Sequence, residues 1–262
     1  MNPKLEVLEV PISGHAQHIV LRHYRPTFEK DLLPIVLYFH GGGFIGGSLD
    51  EAETQAAHLA ESIPAWVISV GYSLAPKYPF PAAPEDAFLA LRWAIDNART
   101  FRADARRIAL AGHDAGGNIA NGLAAMTRDR GGIRVAAQAL IGPLLDPSMT
   151  RIACDASRDA ERDALECARQ YRAWLPSMAL QVHPYAAPIE SRRLGGMPPT
   201  LVISAEKDPM RAEAELYAGC LIQAGVPTEA MRRRDLCHRD LVCDRAVLDD
   251  AATFLRRRLA IP

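Results

Sequence analysis

Apolar, strand-like runs alternate with helix-like stretches along most of this chain. That alternation constrains its fold more than any other feature. Pro34-Ile35-Val36-Leu37-Tyr38-Phe39 is almost wholly apolar, as expected of a strand buried on both faces. Ala65 to Val70, Arg107 to Ala111, Arg134 to Ile141, Thr200 to Ala205 and Glu229 to Arg233 supply further strands. Helical stretches lie between them near residues 51–61, 84–99, 115–128 and 211–224, with a closing one at 244–259. Pro84 sits at a helix start, where a missing N–H costs nothing, and Gly225 ends a helix. Leu5 to Ile12 and His18 to Tyr24 alternate apolar and polar residues and read as a hairpin of exposed strands. The expected fold is α/β, a mostly parallel central sheet with helices on both faces. Such folds place their sites at the carboxyl ends of the strands.

At 262 residues the chain fits one domain, 1–262. Its hydrophobic fraction of 49% and charged fraction of 23% exclude disordered, collagenous and low-complexity architectures. A net charge of −1 gives no electrostatic case for nucleic acid or an anionic membrane surface. No apolar run approaches the ~18–20 residues of a membrane span. The opening MNPKLEVLEV lacks the basic start and apolar stretch of a signal peptide. Cys154, Cys167, Cys220, Cys237 and Cys243 are odd in number and scattered without CxxC spacing, as expected of free thiols in a reducing cytoplasm. No HExxH pairing suggests a metal, and no cofactor is expected.

Three short segments fall at expected strand ends. His40-Gly41-Gly42-Gly43-Phe44 follows the first buried strand; consecutive glycines let backbone N–H groups point into a cavity and stabilise a developing oxyanion. Gly112-His113-Asp114-Ala115-Gly116-Gly117-Asn118 has the small residues of a sharp strand-to-helix turn that lifts one side chain above the sheet. This is the G-x-S-x-G nucleophile elbow with Asp114 in the serine position. A plain helix cap is the simpler role for Asp114, but a cap does not require the flanking glycines. The third segment, Ala205-Glu206-Lys207-Asp208-Pro209-Met210, offers an acid after a strand, and His238 follows the last strand. Nucleophile position, acid, histidine is the order of the α/β-hydrolases. The runs Arg232-Arg233-Arg234 and Arg256-Arg257-Arg258 read as solvated faces, since aspartates lie close by in sequence.

These residues resemble the hormone-sensitive-lipase-like branch of the α/β-hydrolases. HGGGF, the elbow, Tyr72-Ser73-Leu74-Ala75-Pro76 with Phe80-Pro81-Ala82-Ala83 and Asp86, and Pro198-Pro199-Thr200 carry the likeness, extended by Asp208-Pro209 with Arg211, Glu213 and Tyr217. The resemblance implies carboxylesterase ancestry, triad positions at Asp114, Asp208 and His238, and oxyanion donors at Gly42, Gly43 and Ala115. It also implies a small-molecule partner and, by analogy with members that dimerise through a sheet edge, a homodimer; the short run before His40 adds an expected preference for short acyl chains. Three departures stand out. Asp114 replaces serine, Lys77 replaces a usual glutamate, and only 39 residues precede His40, so a reduced cap is expected at about 151–190, over an open site.

Carboxylate attack on an ester carbonyl yields a mixed anhydride. Attack on sp3 carbon yields an alkyl ester that histidine-activated water can hydrolyse. Haloalkane dehalogenases and epoxide hydrolases work so on this fold, but follow their aspartate with tryptophan, where this chain has Ala115. Trp174, Tyr171 and Tyr185 lie in the cap segment, where core or surface roles are the expectation. Three readings therefore stand: an esterase-lineage hydrolase with weak ordinary esterase activity, an Asp-nucleophile hydrolase acting on a halide or epoxide, and a non-catalytic binding protein that keeps the pocket.

Overall fold

The computed structural model describes residues 4–27, 31–153 and 158–260, without the side chains of 158–160. Cys154 and part of the expected cap segment lie outside the described residues. Among the described residues eight strands form one sheet in the order β1-β2-β4-β3-β5-β6-β7-β8. They are β1 (Leu5–Ser13), β2 (His18–Pro26), β3 (Leu33–Phe39), β4 (Trp66–Gly71), β5 (Ala103–His113), β6 (Ala137–Ile141), β7 (Thr200–Ala205) and β8 (Thr228–Arg233). The β1–β2 and β2–β4 pairs are antiparallel, and every other pair is parallel.

Among the described residues the α-helices are α1 (Glu53–Ser62), α2 (Ala82–Asn97), α3 (Ala115–Arg130), α4 (Arg158–Trp174), α5 (Arg211–Gln223) and α6 (Arg245–Leu259). Strand periodicity divides the core into two layers. Ile35, Leu37 and Phe39 of β3 join the layer with Ala87 and Leu91 of α2, Ile119 and Leu123 of α3, and Leu221 of α5. Val36 and Tyr38 point the other way, toward Leu59 of α1 and Leu255 of α6. Because β3 is buried on both faces, its sequence could be apolar throughout.

Several expectations shift. β2 is not exposed: it lies between β1 and β4, with Ile19, Leu21, His23 and Tyr24 buried. α2 begins at Ala82, two residues before Pro84; that proline still falls in the first turn, whose N–H groups have no intrahelical acceptor. β5 reaches back to Ala103 because a register shift against Leu33–Ile35 absorbs the polar stretch before Ile108. β6 starts only at Ala137. The helix ending near 224 is followed by Gly225 at φ 78°, as expected of a terminating glycine.

The cap helix α4 is amphipathic. Cys167, Tyr171 and Trp174 face inward, while Leu165 is exposed. Trp174 stacks on Phe44 at a centroid distance of 3.7 Å and 4° between planes. The Trp174 carbonyl also accepts from the Phe80 N–H at 2.9 Å. Tyr171 and Trp174 are thus core residues, and Tyr185 hydrogen-bonds Asp129 at 3.1 Å. The arginine runs lie at the surface in ion pairs: Arg232 with Glu215, Arg233 with Asp250, and Arg257 and Arg258 with Glu229.

Candidate active site

Asp114 is the single residue between β5 and α3. Its backbone has φ 57° and ψ −122°, outside the broad basins of an L-residue, at a typical cost of ~1–3 kcal/mol. Backbone bonds hold it there. Its N–H donates to the Ile141 carbonyl at 3.0 Å, and its own carbonyl accepts from Gly117 at 3.0 Å and Leu144 at 3.3 Å. The turn closes only because the glycines leave room. A methyl group on Gly112 would lie 2.2 Å from the Gly116 carbonyl oxygen, and one on Gly116 would lie 2.1 Å from that of Phe39. The Asp114 side chain makes no cap hydrogen bond to α3, so helix capping does not account for it.

The carboxylate points instead toward the glycine loop. Its Oδ2 accepts from the Gly42 N–H at 2.7 Å and the Gly43 N–H at 2.8 Å. Those are the two loop donors expected to face an oxyanion, and one oxygen of Asp114 occupies their focus. Positive φ at Gly42 (114°) and Gly43 (59°) turns both N–H groups inward. Ala115 opens α3 and is fully buried; its N–H is among the helix-terminal donors that lack an intrahelical acceptor. His40 supports the loop from behind, stacked on Tyr72 at 4.2 Å, whose hydroxyl donates to the His40 carbonyl.

The other oxygen, Oδ1, stands 3.4 Å from Nε2 of His238, and Nδ1 of His238 lies 2.7 Å from Oδ2 of Asp208. Asp208 is nearly inaccessible, and its Oδ1 accepts from the Met210 N–H at 2.9 Å. The structure therefore brings together Asp114, His238, Asp208, Gly42 and Gly43, all far apart in the sequence. Burial disfavours charge on His238, but Asp208 and Asp114 together push its pKa well above the ordinary histidine value. Burial likewise opposes ionisation of Asp114, yet the His238 imidazole, the neighbouring His113 and the Gly43 N–H hold its carboxyl far below the usual range. His113 is driven the other way: burial, with the charge of His238, lowers its pKa to about 4.

Asp114 and His238 line a cavity of about 350 Å³, walled by the glycine loop, Leu144, Met210 and the inner face of α4. From α4 come Asp163, Glu166, Cys167 and Gln170, none of which the sequence marked as a site residue. Their spacing of three, four and seven residues is the only signal that joins them. Cys167 is buried, and burial raises its thiol pKa well above the ordinary value, which makes it unreactive. Among the described residues no three His, Cys, Asp or Glu side chains are grouped to hold a metal ion, and no helix is long and apolar enough to cross a membrane.

Comparison with known proteins identifies the family and fold of the chain. Residues 36–241 match the family described as alpha/beta hydrolase fold. Esterase LipI of Mycobacterium tuberculosis is 38% identical over 244 residues, covering 91% of this chain and 76% of its own length. Ethyl acetate hydrolase of Pseudomonas putida is 35% identical, covering 82% and 69%. A hyperthermophilic esterase from Pyrobaculum calidifontis superposes with a TM-score of 0.88 at 34% identity, over 98% of this chain and 87% of that one. With an eight-stranded, mostly parallel sheet and its chemistry-bearing residues at the strand ends, this chain belongs to the alpha/beta hydrolase family, as a hydrolase of the esterase and lipase lineage.

Proposed function

We propose that this protein is an esterase-lineage hydrolase in which Asp114 closes the acyl-enzyme route, so that ordinary esters turn over slowly. The observation that carries this reading is the position of Oδ2, 2.7 and 2.8 Å from the Gly42 and Gly43 nitrogens. An ester needs those donors for its own carbonyl oxygen. Losing a single oxyanion donor typically costs ~10²–10³-fold, and here both are engaged by an ionised oxygen. Displacing it would break two charge-assisted hydrogen bonds. The two carboxylates flanking His238 favour its imidazolium form, which cannot act as a general base. The test compares purified wild type with Asp114→Ser on p-nitrophenyl acetate and butyrate. Wild type should run near background. The serine variant should be at least ~10²-fold faster, with short chains preferred. Efficient wild-type turnover that survives Asp114→Ala would overturn the reading.

A second reading rests on the division of labour between the two carboxylate oxygens. With Oδ2 fixed in the glycine loop, Oδ1 remains as a nucleophile toward sp3 carbon. Oδ1 would bond to the carbon as the leaving group departs with its electron pair. The resulting alkyl ester would already hold its carbonyl oxygen, Oδ2, between the two N–H groups. Alkylation also removes one of the charges that keep His238 protonated, restoring a base to activate water. Turnover of a bromoalkane or an epoxide, with label from H₂¹⁸O entering Asp114 in a single turnover, would establish it. Absence of both would leave the first reading alone.

A further inference from the structure

We infer that Gln170 of the cap helix is the specificity-determining residue of this site, selecting a short substituent that carries a hydrogen-bond acceptor close to the reacting carbon. This rests on the reading of the Asp114 pocket as a hydrolase site.

The geometry is a close approach between α4 and the glycine loop. A methyl group built on Gly43 would lie 2.0 Å from both the carboxamide carbon and Oε1 of Gln170, and 2.5 Å from Nε2. The carboxamide therefore lies directly on Gly43, whose N–H holds Oδ2 of Asp114. Any group attached to a carbon reacting beside that N–H must pass the end of Gln170. A long chain meets the carboxamide, whereas a short one fits beneath it.

Polarity points the same way. Gln170 is half-buried, lines the cavity, and makes no hydrogen bond to another described residue. Its N–H₂ and carbonyl are therefore available to solvent or to a ligand. A purely apolar ligand would strip that solvent and return nothing, whereas an ether or carbonyl oxygen accepts from Nε2. The α4 side of the wall is not receptive to anions. Asp163 and Glu166 flank Gln170 on the cavity side, and Arg239, the cation beside them, is 3.3 Å from Asp163 in an ion pair. The favoured ligand group is thus short, uncharged and hydrogen-bond accepting.

Methoxyacetyl and butyryl esters provide an isosteric pair that differ by one ether oxygen. In the Asp114→Ser protein, kcat/KM is measured for their p-nitrophenyl esters with Gln170 intact and in Gln170→Leu and Gln170→Ala. The ratio between the two substrates, compared across variants, cancels their intrinsic reactivities. Gln170→Leu should lower the methoxyacetate-to-butyrate ratio by ~10-fold, and Gln170→Ala should raise octanoate relative to acetate by a similar factor. Unchanged ratios in both variants would overturn the inference.

If Asp114→Ser fails to hydrolyse even p-nitrophenyl acetate, the acyl-transfer reading of the site falls, and binding then decides the role of Gln170. The side-chain amide resonances of Gln170 in the wild-type protein would be titrated with methyl methoxyacetate and methyl butyrate. A larger shift with the ether supports the inference. Equal shifts, or none with either ester, overturn it.

Discussion

Nε2 of His238 lies 3.4 Å from Oδ1 of Asp114 while its Nδ1 lies 2.7 Å from Asp208, so both ring nitrogens face carboxylates. A serine elbow would leave one of those nitrogens free to take a proton. This arrangement leaves neither, and the charge state of His238 follows from it.

His238 should therefore titrate above the ordinary histidine value of ~6.5 in an NMR experiment. Asp114→Asn keeps the shape but removes one charge, so the pKa should fall while Asp208 holds part of the elevation. The linkage has a definite sign. With the folded pKa raised, the stabilisation from this ion-pair cluster is complete below ~6.5 and fades as pH rises through the folded value. The alkaline limb of a Tm–pH profile should flatten in Asp114→Asn. An identical His238 titration in both proteins would contradict the account.

Two other histidines act on the acid side. Burial lowers the pKa of His23 to about 4. Its Nδ1 accepts from the Trp66 indole at 3.0 Å, and its Nε2 has no partner among the described residues. His113 is likewise depressed to about 4. Folding favours their neutral forms, so their contribution is complete above ~6.5 and is lost between ~6.5 and ~4, roughly 3 kcal/mol for each. His238 is protonated in both states at the low end of that window and does not offset the loss. His23→Phe should be modestly less stable at pH 7, because the Trp66 N–H loses its acceptor, yet decline less on acidification. Urea melts at pH 7 and pH 4.5 measure both effects. Parallel losses in wild type and variant would rule out His23 as a contributor.

Gly116→Ala should damage the fold rather than the chemistry alone. Its methyl group would sit 2.1 Å from the Phe39 carbonyl oxygen and 2.4 Å from that of His40, both backbone atoms that cannot swing aside. The helix α3 would have to move off β3, at a cost in the upper range of single substitutions, ~3 kcal/mol or more. A thermal melt reports it. A variant as stable as wild type would show that the elbow has slack.

Much of this was legible in the sequence. The β3 run reads as buried on both faces, and the glycines around Asp114 announce a turn that forces a positive φ. Position along the chain, rather than residue type alone, identified Asp208 and His238. Two things were not legible. The alternation of β2 suggested exposure because sequence does not tell which elements pack on each face of a strand; Ile19 and Leu21 enter one core layer, and Tyr24 enters the other with Leu59 of α1. The occupation of the glycine loop by Oδ2 depends on a side-chain rotamer one carbon beyond the backbone, and no spacing encodes that. Gln170 escaped for the same reason: its role is set by the crossing of α4 over Gly43, a tertiary contact between segments more than a hundred residues apart.

The last prediction joins the cap to the glycine loop through Trp174. Its ring stacks on Phe44 at 3.7 Å, and Phe44 directly follows Gly43, with its own φ at 68°. Phe80 meets the same indole edge-on at 5.5 Å, and Trp174 is fully buried. The stack thus clamps the residue next to an N–H donor in a backbone conformation it would not otherwise favour. Trp174→Ala should cost ~3–5 kcal/mol from lost burial and the cavity left behind. It should also loosen the Gly43 N–H. Trp174→Phe keeps an aromatic face on Phe44 and removes an indole N–H that has no partner among the described residues, so its cost should be smaller. In the Asp114→Ser protein the two effects separate. Trp174→Ala should lower kcat on p-nitrophenyl acetate by ~10-fold even at temperatures where it remains folded, while Trp174→Phe should retain most of the rate. Circular dichroism melts establish the folded range, and initial rates within it provide the comparison. If Trp174→Ala is destabilised but its kcat is unchanged, the stack anchors the cap alone and the glycine loop holds its geometry without it.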